Sequence, residues 1–212
     1  MTVFADMIEG YHRFRSTGWD NQHERWDELR EGQSPKVMVI ACSDSRVDPA
    51  QIFDTNPGEI FVVRNIAALI PPFETTPGNH GVSAALEFAV QNLKVEEIVV
   101  MGHGLCGGCQ AALSEKLKGA APGEGGFVAN WIQLLDPALD RVKHTHGEDK
   151  GREAARALEQ EGVKVSLANI RTFPFIQEKE KAGTLRLIGA YFAIMDGLLH
   201  VLDDKTGTFS AA

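Results

Sequence analysis

Cysteine is scarce in this chain: three residues in 212. So small and odd a number argues against a fold stapled by disulfides. Positive charge is the minority sign, 21 Lys and Arg against 29 Asp and Glu, for a formal net charge of −8. A protein that grips nucleic acid or an anionic membrane surface needs the opposite balance, so both partners are excluded. Long apolar runs are also missing. The most apolar stretch, Leu187 to Met195, ends at Asp196 and falls well short of the ~20 residues that cross a bilayer. Met1 to Gly10 carries Asp6 and Glu9 but neither the basic cluster nor the apolar core of a secretory signal. Linkers, internal repeats and low-complexity tracts are absent as well. The expectation is a single cytoplasmic domain over residues 1–212, with a helical arm at 1–34 and a core at 35–212.

What is present is an ordinary globular composition, 43% hydrophobic and 24% charged, enough to bury a full core. Val3, Met7, Tyr11 and Phe14 share one helical face, and a second helix is expected from Asp20 to about Arg30. Three short, wholly apolar runs follow at Val37–Ala41, Ile60–Val63 and Ile98–Met101, the signature of strands covered on both faces. Val82, Ala85, Leu86, Ala89, Val90 and Leu93 predict a helix between the second and third. Gly107-Gly108 opens another, to about Lys118. Residues 119–126 read as a loop, 127–135 as a short helix, and Asp149 to about Ile170 as a long one with Gly162 as its weak point. The end of the chain reads as a hairpin, with Asp196-Gly197 as a two-residue type I′ turn. The fold class is therefore α/β: a mostly parallel central sheet flanked by helices, with a C-terminal edge hairpin.

Chemistry gathers where two strands end. Cys42, Asp44 and Arg46 follow the first run at alternate positions, so an extended chain would turn all three to one side. His103 and Cys106 follow the third run. In open parallel sheets, sites lie at the carboxyl ends of strands. Two thiols and an imidazole make the three-ligand set of a catalytic zinc centre, with one position left for water. Cys109 completes a C-x-x-C with Cys106, which could be a redox pair or a fourth ligand; its place in the first turn of a helix favours a buried bystander. Asp44 could ligate the metal or be held by Arg46 in a planar fork. Arg64 also lands at the sheet's carboxyl edge. His80, at a helix start, could relay protons or have no such duty. His144 and His146 read as solvated surface.

These motifs resemble the β class of carbonic anhydrases. The match rests on Ala41-Cys42-Ser43-Asp44-Ser45-Arg46-Val47, Pro57-Gly58-Glu59, Phe61-Val62-Val63-Arg64-Asn65-Ile66-Ala67, Gly102-His103 and Cys106-Gly107-Gly108. A weaker tail match comprises Asn169, Pro174, Gly189 and Asp196-Gly197. The resemblance implies reversible hydration of carbon dioxide to bicarbonate and a proton by zinc-bound hydroxide, with one Zn2+ per chain on Cys42, His103 and Cys106. It implies a catalytic Asp44–Arg46 dyad and a substrate pocket of Gln33, Phe61, Ile66 and the backbone of Gly107. It further implies a homodimer or a dimer-based higher oligomer, with the N-terminal helices packed across the partner. Hydrolysis of carbonyl sulfide or carbon disulfide on the same scaffold is an alternative, as is a non-catalytic zinc or redox protein. One subtype builds a non-catalytic bicarbonate pocket from a tryptophan and a tyrosine; here Val39 and Phe192 stand in those places, which implies the subtype without it. Asn79 replaces a tyrosine found in many members.

Overall fold

The computed structural model describes residues 2–212. Six strands form one sheet in the order β2-β1-β3-β4-β5-β6: β1 Val37–Cys42, β2 Ile60–Asn65, β3 Glu97–His103, β4 Arg186–Ala193, β5 Leu198–Asp203 and β6 Thr208–Ala211. The pairs β1–β2, β1–β3 and β3–β4 are parallel, and β4–β5 and β5–β6 are antiparallel. The α/β expectation therefore holds, antiparallel edge included.

Nine α-helices accompany the sheet among the described residues: α1 Val3–Arg13, α2 His23–Arg30, α3 Pro49–Ile52, α4 Gly81–Glu87, α5 Gly107–Ser114, α6 Gly126–Ile132, α7 Asp136–His146, α8 Arg152–Ile170 and α9 Pro174–Lys181. Period-two alternation sorts the strand residues onto two faces. Met38, Ile40, Ile98 and Val100 pack with Leu86 of α4 and Val163, Leu167 and Ile170 of α8. Val39, Ala41, Met101 and Ala190 form a second cluster with Ile52, Phe53 and Phe192. A third cluster, around Leu135, Leu139 and Leu158, sits under Cys42 and Cys106. By contrast, α1 buries no residue and leaves Val3, Phe4, Met7 and Tyr11 exposed, and Phe14 just after it is exposed too.

Several local expectations change. Residue 115 adopts left-handed backbone (φ 53°) and ends α5 at Ser114, short of Lys118. The second N-terminal helix starts at His23, because Gln22 leaves helical backbone (φ −115°, ψ 22°), and a wider π-helical turn occupies Phe14–Trp19 before it. Asp149 lies outside α8, in a turn where its Oδ1 accepts the Gly151 N–H at 2.9 Å. Gly162 is not a weak point but a close approach: a Cβ there would come within 2.9 Å of Leu135 Cδ2. His144 and His146 keep their expected surface place, exposed and half-buried, but on the last turn of α7. The β4–β5 turn holds four residues, since Ala193 pairs with Leu198, so Asp196-Gly197 is not a two-residue type I′ hairpin. β6 carries no strand pattern in its sequence, because Phe209 is its only large apolar residue, and its pairing comes from the open edge of β5.

Candidate active site

β1 and β3 lie side by side in parallel, Val37 opposite Glu97 and Ala41 opposite Met101. Their carboxyl ends therefore open together, and the loops leaving them meet. Cys42 is the last residue of β1, His103 the last of β3, and Cys106 caps the N-terminus of α5. One ligand atom from each lies within 4.8 Å of the others, and all three residues are buried.

The donor set can be tested on its own chemistry. His103 Nδ1 lies 2.9 Å from the Gly104 carbonyl oxygen. A carbonyl only accepts, so Nδ1 carries the proton and Nε2 presents a bare lone pair. That Nε2 is buried and has no hydrogen-bond partner. A buried, unpartnered nitrogen is costly, and a second-side hydrogen bond of this kind is how metal-binding histidines are oriented. Beside it, the Cys42 thiol is pushed up to about 12, first by its contact with Cys106 and then by burial. The Cys106 thiol is likewise pushed up to about 12, first by neighbouring Cys109. Two crowded thiols ionise together only beside a cation. Soft thiolates and an imidazole suit zinc, so Cys42, His103 and Cys106 could hold one zinc ion. Cys109, in the first turn of α5, is buried in the apolar cluster with Leu113 and Ile132 and stands outside this trio.

Asp44 and Arg46 meet, but not along an extended strand as their spacing suggested. β1 stops at Cys42, and a turn closed by Val47 N–H to Asp44 O (3.2 Å) folds Arg46 back. Arg46 Nε donates to Asp44 Oδ1 at 2.9 Å, Nη2 to Oδ2 at 2.7 Å, and the Arg46 amide to Oδ1 at 3.0 Å. These bonds hold the Asp44 carboxyl well below the usual carboxylate range. Arg46 Nη2 also reaches the Leu105 carbonyl at 3.1 Å.

Arg64 is spent inside the protein. Its Nε donates to Cys42 O at 2.9 Å, Nη2 to Asp44 O at 2.6 Å, and Nη1 to Asp48 Oδ2 at 3.0 Å. Asp48 in turn caps α3 through Oδ1. Sequence reasoning placed Arg64 at this edge without seeing that it braces the metal loop. It missed Glu159 altogether: this buried carboxylate of α8 accepts from the Cys106 amide at 3.0 Å and from Tyr191 Oη at 2.9 Å. A glutamate within a helical pattern resembles any solvated one, and only the tertiary fold distinguishes it.

The four pocket residues fall into two pairs. Gly107 follows Cys106 and has open space where a Cβ would project, and Ile66 follows β2 with its Cγ2 against Gly108. Trp131 Nε1 holds the Ile66 carbonyl at 2.8 Å. Gln33 precedes β1, however, and Phe61 pairs with Met38 near the strand's amino end. At ~3.3 Å per residue, the length of β1 separates them from Cys42. His80 is tied to its own loop, with Nε2 2.8 Å from Thr76 O and Nδ1 3.4 Å from a Glu74 oxygen.

A parallel sheet that delivers a Cys–His–Cys trio beside a carboxylate–guanidinium pair defines a zinc-enzyme scaffold of the α/β class. Comparison with known proteins agrees. The carbonic anhydrase family model matches residues 37–199. Beta carbonic anhydrase 3 of Arabidopsis thaliana is 35% identical over 199 residues, covering 93% of this chain and 76% of that protein. Among solved structures, the β-carbonic anhydrase CcaA superposes with a TM-score of 0.90 at 30% identity, over 99% of this chain and 92% of that one. A tetrameric β-carbonic anhydrase of Sordaria macrospora gives 0.77 at 27%, over 98% of each chain. This chain belongs to the carbonic anhydrase family, in its β class. It is a zinc-dependent lyase that hydrates carbon dioxide reversibly to bicarbonate and a proton.

Proposed function

We propose that hydration occurs at the carboxyl ends of β1 and β3, with zinc on Cys42, His103 and Cys106 and with Asp44 and Arg46 as the dyad beside it. The observation that carries this reading is the bare, buried Nε2 of His103 facing two buried thiols. When bound, zinc acidifies a water from pKa 15.7 to about 7 and so supplies hydroxide near neutrality. The protein's part is orientation. Asp44 Oδ1 already accepts two hydrogen bonds, whereas Oδ2 accepts one. A carboxylate oxygen has two lone pairs, so Oδ2 can accept a hydrogen bond from the attacking oxygen and turn that oxygen's lone pair toward carbon dioxide. Arg46 keeps Asp44 ionised and aimed. Ile66 supplies an apolar wall. The Gly107 amide belongs to a helix's first turn, where N–H groups lack intrahelical partners, and it can donate to the new bicarbonate oxygen.

We propose further that the chain forms a single domain, 1–212, which dimerises or assembles further from dimers. Two features support this: the exposed apolar stripe of α1, and the separation of Gln33 and Phe61 from Gly107 and Ile66, which a second chain can bridge. The tetrameric relative points the same way. No helix among the described residues is long and apolar enough to cross a membrane; three unpaired cysteines favour a reducing, cytoplasmic setting. We also assign the chain to the subtype without the bicarbonate pocket. Val39 is 1% exposed in an apolar cluster that Phe192 joins, and every guanidinium nitrogen of Arg64 already donates within the protein, so a second anion would find few donors there. The decisive experiment is stopped-flow carbon dioxide hydration before and after chelation, and again after zinc is restored. Activity should vanish and return, and activity indifferent to chelation rejects the zinc reading.

A further inference from the structure

The peptide unit joining Leu105 to Cys106 is held at both ends. Its carbonyl, on Leu105, accepts from Arg46 Nη2 at 3.1 Å. Its N–H, on Cys106, donates to Glu159 Oε1 at 3.0 Å. The other oxygen of that carboxylate, Oε2, accepts from Tyr191 Oη at 2.9 Å. Glu159 is 5% exposed and is the one buried carboxylate among the described residues.

Two further facts make the clamp necessary. Cys106 is the N-cap of α5. The N–H of an N-cap is commonly taken by a Glu or Gln three residues on, but here that residue is Cys109. Glu159, reaching in from α8, does this work from outside the helix. Leu105 is also in left-handed backbone (φ 59°), a conformation that L-residues hold only when surrounding contacts impose it. Without an acceptor for the Cys106 N–H, only the Arg46 contact at the Leu105 carbonyl would oppose rotation of this peptide.

We propose that Glu159, anchored by Tyr191, is a positioning residue. It fixes the Leu105–Cys106 peptide plane and thereby sets both the aim of the Cys106 sulfur at the metal and the support that Arg46 draws from the Leu105 carbonyl. One buried carboxylate thus couples the ligand set to the Asp44–Arg46 dyad. The proposal rests on the ligand and dyad assignments made above. It makes no use of the charge on Glu159, because a glutamine in its place can still accept from the Cys106 N–H and donate its amide to Tyr191 Oη.

The test measures zinc affinity, by competition with a chromophoric chelator, and the visible d–d spectrum of the cobalt(II)-substituted protein. Wild type is compared with Glu159→Ala, Glu159→Gln, Tyr191→Phe and Cys106→Ser. Glu159→Ala should bind zinc about 10- to 100-fold more weakly and alter the cobalt spectrum. Glu159→Gln should restore most of both, and Tyr191→Phe should lose roughly two- to tenfold in affinity. A purely structural role would lower thermal stability and leave both metal readouts unmoved, and that result in Glu159→Ala overturns the proposal. If Glu159→Ala does not fold, wild-type affinity and spectrum in Tyr191→Phe overturn it instead. Zinc retained in Cys106→Ser with wild-type affinity would reject the ligand reading itself, whereas loss there beside wild-type behaviour in Glu159→Ala rejects the clamp alone.

Discussion

Arg46 grips Asp44 as a two-pronged fork, Nε on Oδ1 at 2.9 Å and Nη2 on Oδ2 at 2.7 Å. A pair this tightly matched should behave as one unit. Arg46→Ala and Asp44→Asn should each lower kcat/KM on the order of 10²-fold, and the double variant should lose little beyond the worse single one. Stopped-flow kinetics on the four proteins gives the coupling directly. Losses that simply multiply would show that the two residues act separately.

Zinc content separates the metal ligands from Cys109. Cys42→Ser and His103→Ala should fall from one zinc per chain toward none and lose activity with it. Cys109→Ser should keep both, because Cys109 sits in the apolar cluster under α5 rather than in the trio. Metal analysis of the purified variants, run against a thiol count, decides the matter. Wild-type zinc in Cys42→Ser would break the assignment.

The pH profile of kcat/KM should be a single titration near an apparent pKa of about 7, unmoved by added bicarbonate except through ordinary competition. Asp44 adds no second limb, since Arg46 holds its carboxyl well below the usual range. The sign of the linkage agrees. A depressed folded pKa stabilises the protein above the unfolded value of about 4 and loses that contribution only as pH falls further, outside the active range. A steep profile that bicarbonate displaces without competing would mean that a switch operates despite Val39 and Phe192.

Assembly should depend on the N-terminal arm. Val3, Phe4 and Met7 of α1 are 80%, 68% and 65% exposed. Phe4→Glu with Met7→Glu should therefore weaken self-association at least tenfold, by roughly 1.5–3 kcal/mol for each large apolar side chain left uncovered. Light scattering across a dilution series reads this out. If Gln33 and Phe61 complete the pocket from a second chain, KM should rise as the protein dissociates.

Much of this site was legible from the chain because its parts are local. The Cys42–Arg46 and His103–Cys106 segments each follow an apolar strand, and parallel pairing of adjacent strands brings their ends together without further information. What escaped notice was carried by tertiary contact. Glu159 lies 53 residues from the amide it accepts, and nothing in a helical period marks one glutamate as buried. Gly162 read as a flaw because helix propensity outweighs packing when only sequence is in view, whereas Leu135 occupies the space a side chain would need. β6 was invisible for a related reason: an edge strand takes its order from its neighbour's unpaired backbone, which leaves no hydrophobic pattern to find.

The three hydrogen bonds from Arg64 to Cys42 O, Asp44 O and Asp48 have a consequence for how the cofactor is acquired. They shape the loop after β1 from within the protein, so the backbone that presents Cys42 is braced without the ion. Where a site forms only with its metal, the energy of binding is spent on folding and the chelated protein collapses. Here hydrogen bonds within the protein already brace the loop that carries Cys42, so binding energy should go into affinity rather than folding. Chelated protein should therefore keep its fold and recover activity on simple addition of zinc, without a refolding step.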